Sequence, residues 1–204
     1  MTAPRPHDLL WGMTPDDLPD AAPAWAHQVL AAGQPVVVRR ACCPDGWVAV
    51  GVRGQGRAQR LGVQMRLDKV LRQLSPQALR WQGDSPWPAL QALASVAPVL
   101  NASGLPWGPT GGVGYQLATG CNVLHLASDL DLVMHTPQPL TRAKAREWLD
   151  ILDCAPCRID LQLETPTGAV ALREWAGGAR RVLLKSATGA RLVIDPWSVL
   201  ECAA

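Results

Sequence analysis

The residues best suited to chemistry lie between Gly108 and His135, in the stretch GPTGGVGYQLATGCNVLHLASDLDLVMH. In Ser128-Asp129-Leu130-Asp131-Leu132-Val133-Met134, strand alternation puts Leu130, Leu132 and Met134 on one face and Asp129, Asp131 and Val133 on the other. Both acids then point the same way. Their Cα atoms are about 6.6 Å apart, within reach of one pair of metal ions about 3.5–4 Å apart. A third acid, Asp160, occupies the polar face of another alternating run, Arg158-Ile159-Asp160-Leu161-Gln162-Leu163. If the two strands are neighbours, three carboxylates converge. Such a set suits Mg²⁺, a hard cation that prefers oxygen ligands.

Upstream, Thr110-Gly111-Gly112-Val113-Gly114 precedes Tyr115-Gln116-Leu117-Ala118, which reads as the start of a short helix. Glycines there remove the Cβ obstruction and let successive backbone N–H groups face an anion at a helix N-terminus. A glycine turn alone usually marks an ordinary turn, and an exposed Asp-x-Asp alone usually just solvates a strand end. Together they describe phosphoryl chemistry, in which positioning and charge stabilisation do most of the work.

The combination resembles the nucleotidyltransferase superfamily that includes DNA polymerase beta. Its pattern of Gly, then Gly or Ser, an Asp-x-Asp strand and a later acid falls here on Gly111-Gly112, Asp129, Asp131 and Asp160. Position 112 is Gly where that pattern commonly has Ser, and the gap to Asp129 is a few residues longer than usual.

A resemblance over nearly the whole chain is more specific. Arg5-Pro6-His7-Asp8-Leu9-Leu10-Trp11, Val50-Gly51-Val52-Arg53-Gly54 with Gln59-Arg60, Trp107-Gly108-Pro109-Thr110-Gly111, Ser128-Asp129-Leu130-Asp131-Leu132 and Asp195-Pro196-Trp197 carry it. They look like the malonate decarboxylase holo-acyl-carrier-protein synthases, also called phosphoribosyl-dephospho-coenzyme A transferases. The resemblance implies that 2'-(5''-triphosphoribosyl)-3'-dephospho-CoA is the donor, that a serine of the apo acyl carrier subunit of malonate decarboxylase attacks, and that diphosphate leaves. It implies Mg²⁺ on Asp129 and Asp131, with Asp160 as a further ligand or as the group that deprotonates the serine. Gly111 and Gly112 would hold the β and γ phosphates. Two rivals are another Mg²⁺-dependent nucleotidyltransferase using ATP and an inactive carrier-binding module.

The rest of the chain must position these residues. Its 204 residues, 48% apolar and 18% charged, suffice for a globular core in one or two domains. The expected architecture is α+β: a small basic N-terminal α/β domain over residues 1–84, for substrate or carrier binding, and a nucleotidyltransferase-like domain over 85–204 with a mixed sheet backed by helices. A net charge of +2 does not indicate a nucleic-acid protein. Between Pro35 and Arg80, however, nine basic residues face two acidic ones. Such a surface suits a polyphosphate or an acidic protein. Arg53, Arg57 and Arg60 are the phosphate-binding candidates there, and Lys185, inside Val182-Leu183-Leu184-Lys185, is a candidate for the leaving diphosphate.

The opening MTAPRPHDLLW has no apolar signal core, so a cytoplasmic location is expected. Residues 85–128 lack Asp, Glu, Lys and Arg, but five prolines interrupt any helix long enough to span a membrane. The six cysteines have no disulfide-framework spacing, and Cys154-Ala155-Pro156-Cys157 supplies only half of a structural zinc site. His7 and Asp8 form a candidate acid–base pair, though adjacency alone does not establish catalytic geometry. The nine tryptophans carry nearly all the aromatic bulk, since there is one tyrosine and no phenylalanine. Helices are expected at 24–31, 58–74, 88–97 and 141–152. Strands are expected at 36–38 and 47–52, paired around the turn Pro44-Asp45-Gly46, and at 169–174, 181–185 and 191–195.

Overall fold

The computed structural model describes residues 2–56 and 58–198. The chain runs β1 (Leu9–Trp11), α1 (Ala24–Ala31), β2 (Val36–Val38), β3 (Trp47–Arg53), β4 (Arg60–Arg66) and β5 (Arg72–Leu74). It continues with α2 (Pro88–Ala102), β6 (Trp107–Pro109), α3 (Gly111–Thr119), β7 (Leu130–His135), α4 (Arg142–Leu152), β8 (Ile159–Thr165), β9 (Gly168–Ala171), α5 (Leu172–Ala176), β10 (Val182–Ser186) and β11 (Gly189–Val193). These elements make an α+β fold with a five-stranded sheet, β4-β3-β2-β1-β5, and a six-stranded sheet, β11-β10-β9-β8-β7-β6.

Strand alternation gives the first sheet two unlike faces. Leu10, Val36, Val38, Val50, Val52 and Met65 pack with Ala26 and Leu30 of α1 into one core. Leu9, Val37, Gly51, Arg53, Arg60 and Gly62 face the other way and line a cavity. The second sheet is antiparallel except for β7 and β8, which run parallel and are joined by α4. Leu130, Leu132, Met134, Ile159, Leu161 and Leu163 pack on α2, α4 and α5 in a second core. Thr141 caps α4 as expected, its side chain accepting from the Lys144 N–H. Near the C-terminal end of the described chain, the buried Trp197 donates its indole N–H to the Thr136 carbonyl at 2.7 Å and meets Trp175 edge-on.

The two sheets turn their polar faces towards each other and are fastened at named points. Arg40 pairs with Glu164 of β8, with side chains 19% and 10% exposed. The Tyr115 hydroxyl lies 3.4 Å from Gln34 Oε1. Gly108 of β6 lets that strand lie against the Pro76–Ala78 turn: a Cβ built there would sit 2.7 Å from the Gln77 nitrogen.

Four expectations need correction. Residues 58–74 are not a helix: β4 and β5 flank a single turn at Leu67–Lys69. Leu61, Val63 and Met65 recur every second residue, and a helical stripe through Leu61 and Met65 overlooks Val63. The expected strand 169–174 is divided, because Leu172, Trp175 and Ala176 are buried at helical spacing and turn the chain into α5. The helix from Pro88 runs to Ala102, past Pro98. Pro98 is exposed, so the carbonyl that loses its partner faces solvent while Val96 and Leu100 stay buried. The last strand, expected at 191–195, is Gly189–Val193, since the turn after Ser186 is short enough for Ser186 to pair with Gly189.

Candidate active site

The parallel pairing of β7 and β8 sets Asp131 directly opposite Asp160, and Asp129 comes one residue before β7. One carboxylate oxygen from each of the three acids lies within 4.8 Å of the others. Arg158 donates to Asp160 Oδ1 through Nε at 3.1 Å and Nη2 at 2.9 Å. Oδ2 is outside that contact. The donor set is all oxygen, which fits a hard divalent cation and not a soft one.

Helix α3 brings the glycine turn to these acids. It begins at Gly111, earlier than the expected start at Tyr115, after Thr110, whose N–H donates to the Asp131 carbonyl at 2.8 Å. Gly111 has φ +57, and a Cβ built on it would sit 2.8 Å from Asp131 Cγ. Only glycine meets both the backbone and the space requirement. A Cβ on Gly112 would lie 3.2 Å from Leu124 Cδ2 and 3.4 Å from Arg53 Nη2. The N-terminus of α3 therefore has the triad on one side and an arginine on the other.

Arg53 and Arg60 face each other across β3 and β4. Like charges in direct opposition are unfavourable, which makes the pair receptive to an anion. The Arg53 guanidinium lies 5.3 Å from the centre of the Tyr115 ring, and its buried Nε has no hydrogen-bond partner. Burial lowers the Arg53 pKa, Arg60 lowers it further, and Asp131 opposes both. Burial also pushes the Tyr115 phenol up to about 12, so it remains a neutral hydroxyl.

A cavity of about 870 Å³ lies between the two sheets. Asp129, Asp131, Asp160, Gly111, Gly112, Arg53 and Arg60 are brought together there. Arg57 lies outside the described residues. Lys185 is exposed on β10, paired with Ala169, and does not border the cavity; β9 and β8 stand between its strand and β7.

His7 and Asp8 do not make a pair. Asp8 is 3% exposed and accepts from the Arg5 N–H at 2.9 Å and Gln73 Nε2 at 2.7 Å. His7 has φ 76 and sets Nε2 3.9 Å from Glu164 Oε1. Burial lowers its pKa, with Glu164 pulling the other way. Sequence reading also passed over Arg39, Tyr115 and Gln162, which border the cavity. Gln162 had a visible signal, two residues beyond Asp160 on the same strand face.

Three converging carboxylates beside a helix N-terminus and two arginines form a set suited to transferring a phosphorylated group. Two family models cover the chain: the phosphoribosyl-dephospho-CoA transferase MdcG N-terminal domain matches residues 5–76, and the C-terminal domain of the same protein matches residues 71–196. A phosphoribosyl-dephospho-CoA transferase of Pseudomonas putida strain W619 is 78% identical over 204 residues, all of both chains. One from Azotobacter vinelandii is 56% identical over 200 residues, covering 95% of this chain and 94% of its own. One from Pseudomonas aeruginosa strain PAO1 is 50% identical over 201 residues, covering 97% and 96%. The chain belongs to the phosphoribosyl-dephospho-CoA transferase family. No solved structure matches it. Among the described residues, no helix is long and apolar enough to cross a membrane, and Cys42, Cys43, Cys121, Cys154 and Cys157 are free thiols.

Proposed function

We propose that this protein transfers the 2'-(5''-phosphoribosyl)-3'-dephospho-CoA group from its triphosphoribosyl precursor to a serine of the apo acyl carrier subunit of malonate decarboxylase, in the cytoplasm. The serine oxygen forms a bond to the α-phosphorus, the bond from that phosphorus to the β-phosphate oxygen breaks, and diphosphate departs. The serine proton leaves to a carboxylate of the triad or to water. A phosphodiester joins the prosthetic group to the carrier.

The observation that carries this reading is the joining of three carboxylates to a helix N-terminus on one cavity. Asp129, Asp131 and Asp160 would hold Mg²⁺, and their oxygen-only set fits it. Bound there, Mg²⁺ supplies charge neutralisation and polarisation of the phosphorus. The N–H groups that open α3 receive the β and γ phosphates, because a helix N-terminus favours anions. Arg53 and Arg60 balance the remaining negative charge. Asp160, held through Oδ1 by Arg158, keeps Oδ2 for a metal or the serine proton. Together these groups place charge where it develops during transfer.

Diphosphate release tests the reading. With Mg²⁺ and the triphosphoribosyl donor, release should require the apo carrier and should stop when its acceptor serine is replaced by alanine. Release with ATP in place of the donor would show a general nucleotidyltransferase. Carrier binding with no release from either would show an inactive module.

A further inference from the structure

One cation on the cavity wall has no task in this mechanism. Arg39 follows β2 and shares the face of Val37, its N–H donating to the Ala49 carbonyl at 2.8 Å. Its side chain lies across two glycines that are direct partners in β3 and β4, Gly51 and Gly62. A Cβ on Gly51 would sit 3.4 Å from Arg39 Cδ, and one on Gly62 would sit 3.1 Å from Arg39 Cζ. The missing side chains thus form a saddle holding the stem over one strand and the guanidinium over the next. Glycine inside a strand costs stability, and it commonly marks a place where something must approach closely. Among the described residues no carboxylate pairs with Arg39, although its guanidinium borders the cavity.

Position along the strands separates Arg39 from the catalytic end. Gly51 and Gly62 share the cavity face with Arg53 and Arg60 but lie two residues farther along each strand, about 6.6 Å. Arg53 is the arginine beside Gly112 and the opening of α3. The wall therefore presents an arginine pair at the triad and another guanidinium one step beyond it.

We infer that Arg39 on the Gly51–Gly62 saddle is a second anion subsite that binds the diphosphate linking adenosine to pantetheine in the dephospho-CoA half of the donor, and so selects that donor over ATP. The inference rests on the function proposed above. The donor carries two separated polyphosphate groups, a triphosphate at the reacting end and this diphosphate at the other. ATP carries only the first kind and leaves Arg39 unsatisfied. An arginine suits the task because its planar fork donates to two phosphate oxygens at once.

The test measures, by calorimetry, the binding of dephospho-CoA alone and of inorganic triphosphate with Mg²⁺ to the wild type, Arg39→Ala, Arg39→Lys and Gly62→Ala. Carrier modification and thermal melting are followed in parallel. Arg39→Ala should weaken dephospho-CoA by about 10- to 100-fold, the range for losing a charged hydrogen-bonding partner, while triphosphate binding stays unchanged. Arg39→Lys should recover part of the loss. Gly62→Ala keeps the arginine but displaces its guanidinium, so it should show the same selective loss with a melt no lower than that of the wild type. Wild-type affinity for dephospho-CoA in Arg39→Ala would overturn the subsite, as would an equal loss of both ligands. A wild type that never modifies the carrier, combined with selective loss in Arg39→Ala, would contradict the proposed function while supporting the subsite.

Discussion

Asp131 and Asp160 stand directly opposite each other across the parallel pairing of β7 and β8, with their carboxylates on the cavity side. Adjacent strands lie about 4.8 Å apart, so this register holds two negative charges close together, and such opposition is destabilising. A bound cation would reverse the sign of that interaction. Saturating Mg²⁺ at about 100 times its Kd stabilises a folded site by about 2.7 kcal/mol, which raises Tm by about 5–11 °C in a chain of this size. The wild type should show that rise and Asp131→Asn should not. Transfer by the variant should fall by about 10²- to 10³-fold, comparable to removing one electrostatic contact to a transition state. Equal Mg²⁺ shifts in both proteins would place the ion elsewhere.

Gly111 is the position where the smallest change should do the most harm. Alanine there meets a positive φ and the Asp131 side chain together. The left-handed conformation costs about 1–2 kcal/mol, and displacement of the reacting groups by about 1 Å costs about 10²-fold in rate. Gly111→Ala should lose transfer by about that factor while remaining folded by circular dichroism. Activity near the wild-type level would mean that the turn does not touch the donor.

Gly112 tolerates more. A Cβ has room beside Arg53 once Leu124 yields by a few tenths of an ångström. Gly112→Ser places a hydroxyl near Arg53 Nη2 and the opening of α3. One added hydrogen bond contributes about 1 kcal/mol, so KM for the donor should change by no more than about fivefold in either direction, with kcat retained. Loss of all activity would show that the cavity is tighter here than its walls indicate.

The fastening between the sheets should respond to pH. Burial lowers the pKa of His7 and of His135, and the Arg40 guanidinium adds to this; Glu164 and Asp8 act in the opposite direction, while Arg5 also lowers His135. Both folded-state values lie below the unfolded 6.5. Above that value the unfolded chain gains no advantage. Below it the unfolded chain binds protons first, and stability falls until the folded values are reached. Tm should hold steady above about pH 6.5 and then decline as the pH falls below it. His7→Asn combined with His135→Gln should flatten the decline, asparagine being chosen because it accepts the positive φ at position 7. An identical slope in the variant would assign the decline to other groups.

Period-two runs made the catalytic sheet legible in the sequence. The face assignments of Asp131 and Asp160 follow from their strands, because each is flanked by apolar residues that bury on the opposite side, and Asp129 stands one residue before β7. What a single strand cannot show is its neighbour. The register that pairs Asp131 with Asp160 is set by α4 crossing between parallel strands, and the same topology leaves Lys185 at β10, outside the cavity. The basic segment misled for another reason. Arg60, Gln64 and Arg66 of β4 read as the charged face of a helix when only Leu61 and Met65 are matched, whereas Leu61, Val63 and Met65 together recur at the strand period. Arg39 carried no local signal, since the glycines that seat it lie on two other strands.

The most direct measurement is the intact mass of purified apo carrier subunit after incubation with this protein, Mg²⁺ and the triphosphoribosyl-dephospho-CoA donor, beside parallel reactions with ATP alone and with Asp129→Asn. The account predicts a gain equal to the donor less diphosphate, mapped to one serine and missing from both parallels. A gain from ATP alone, or no gain from the donor, would contradict it.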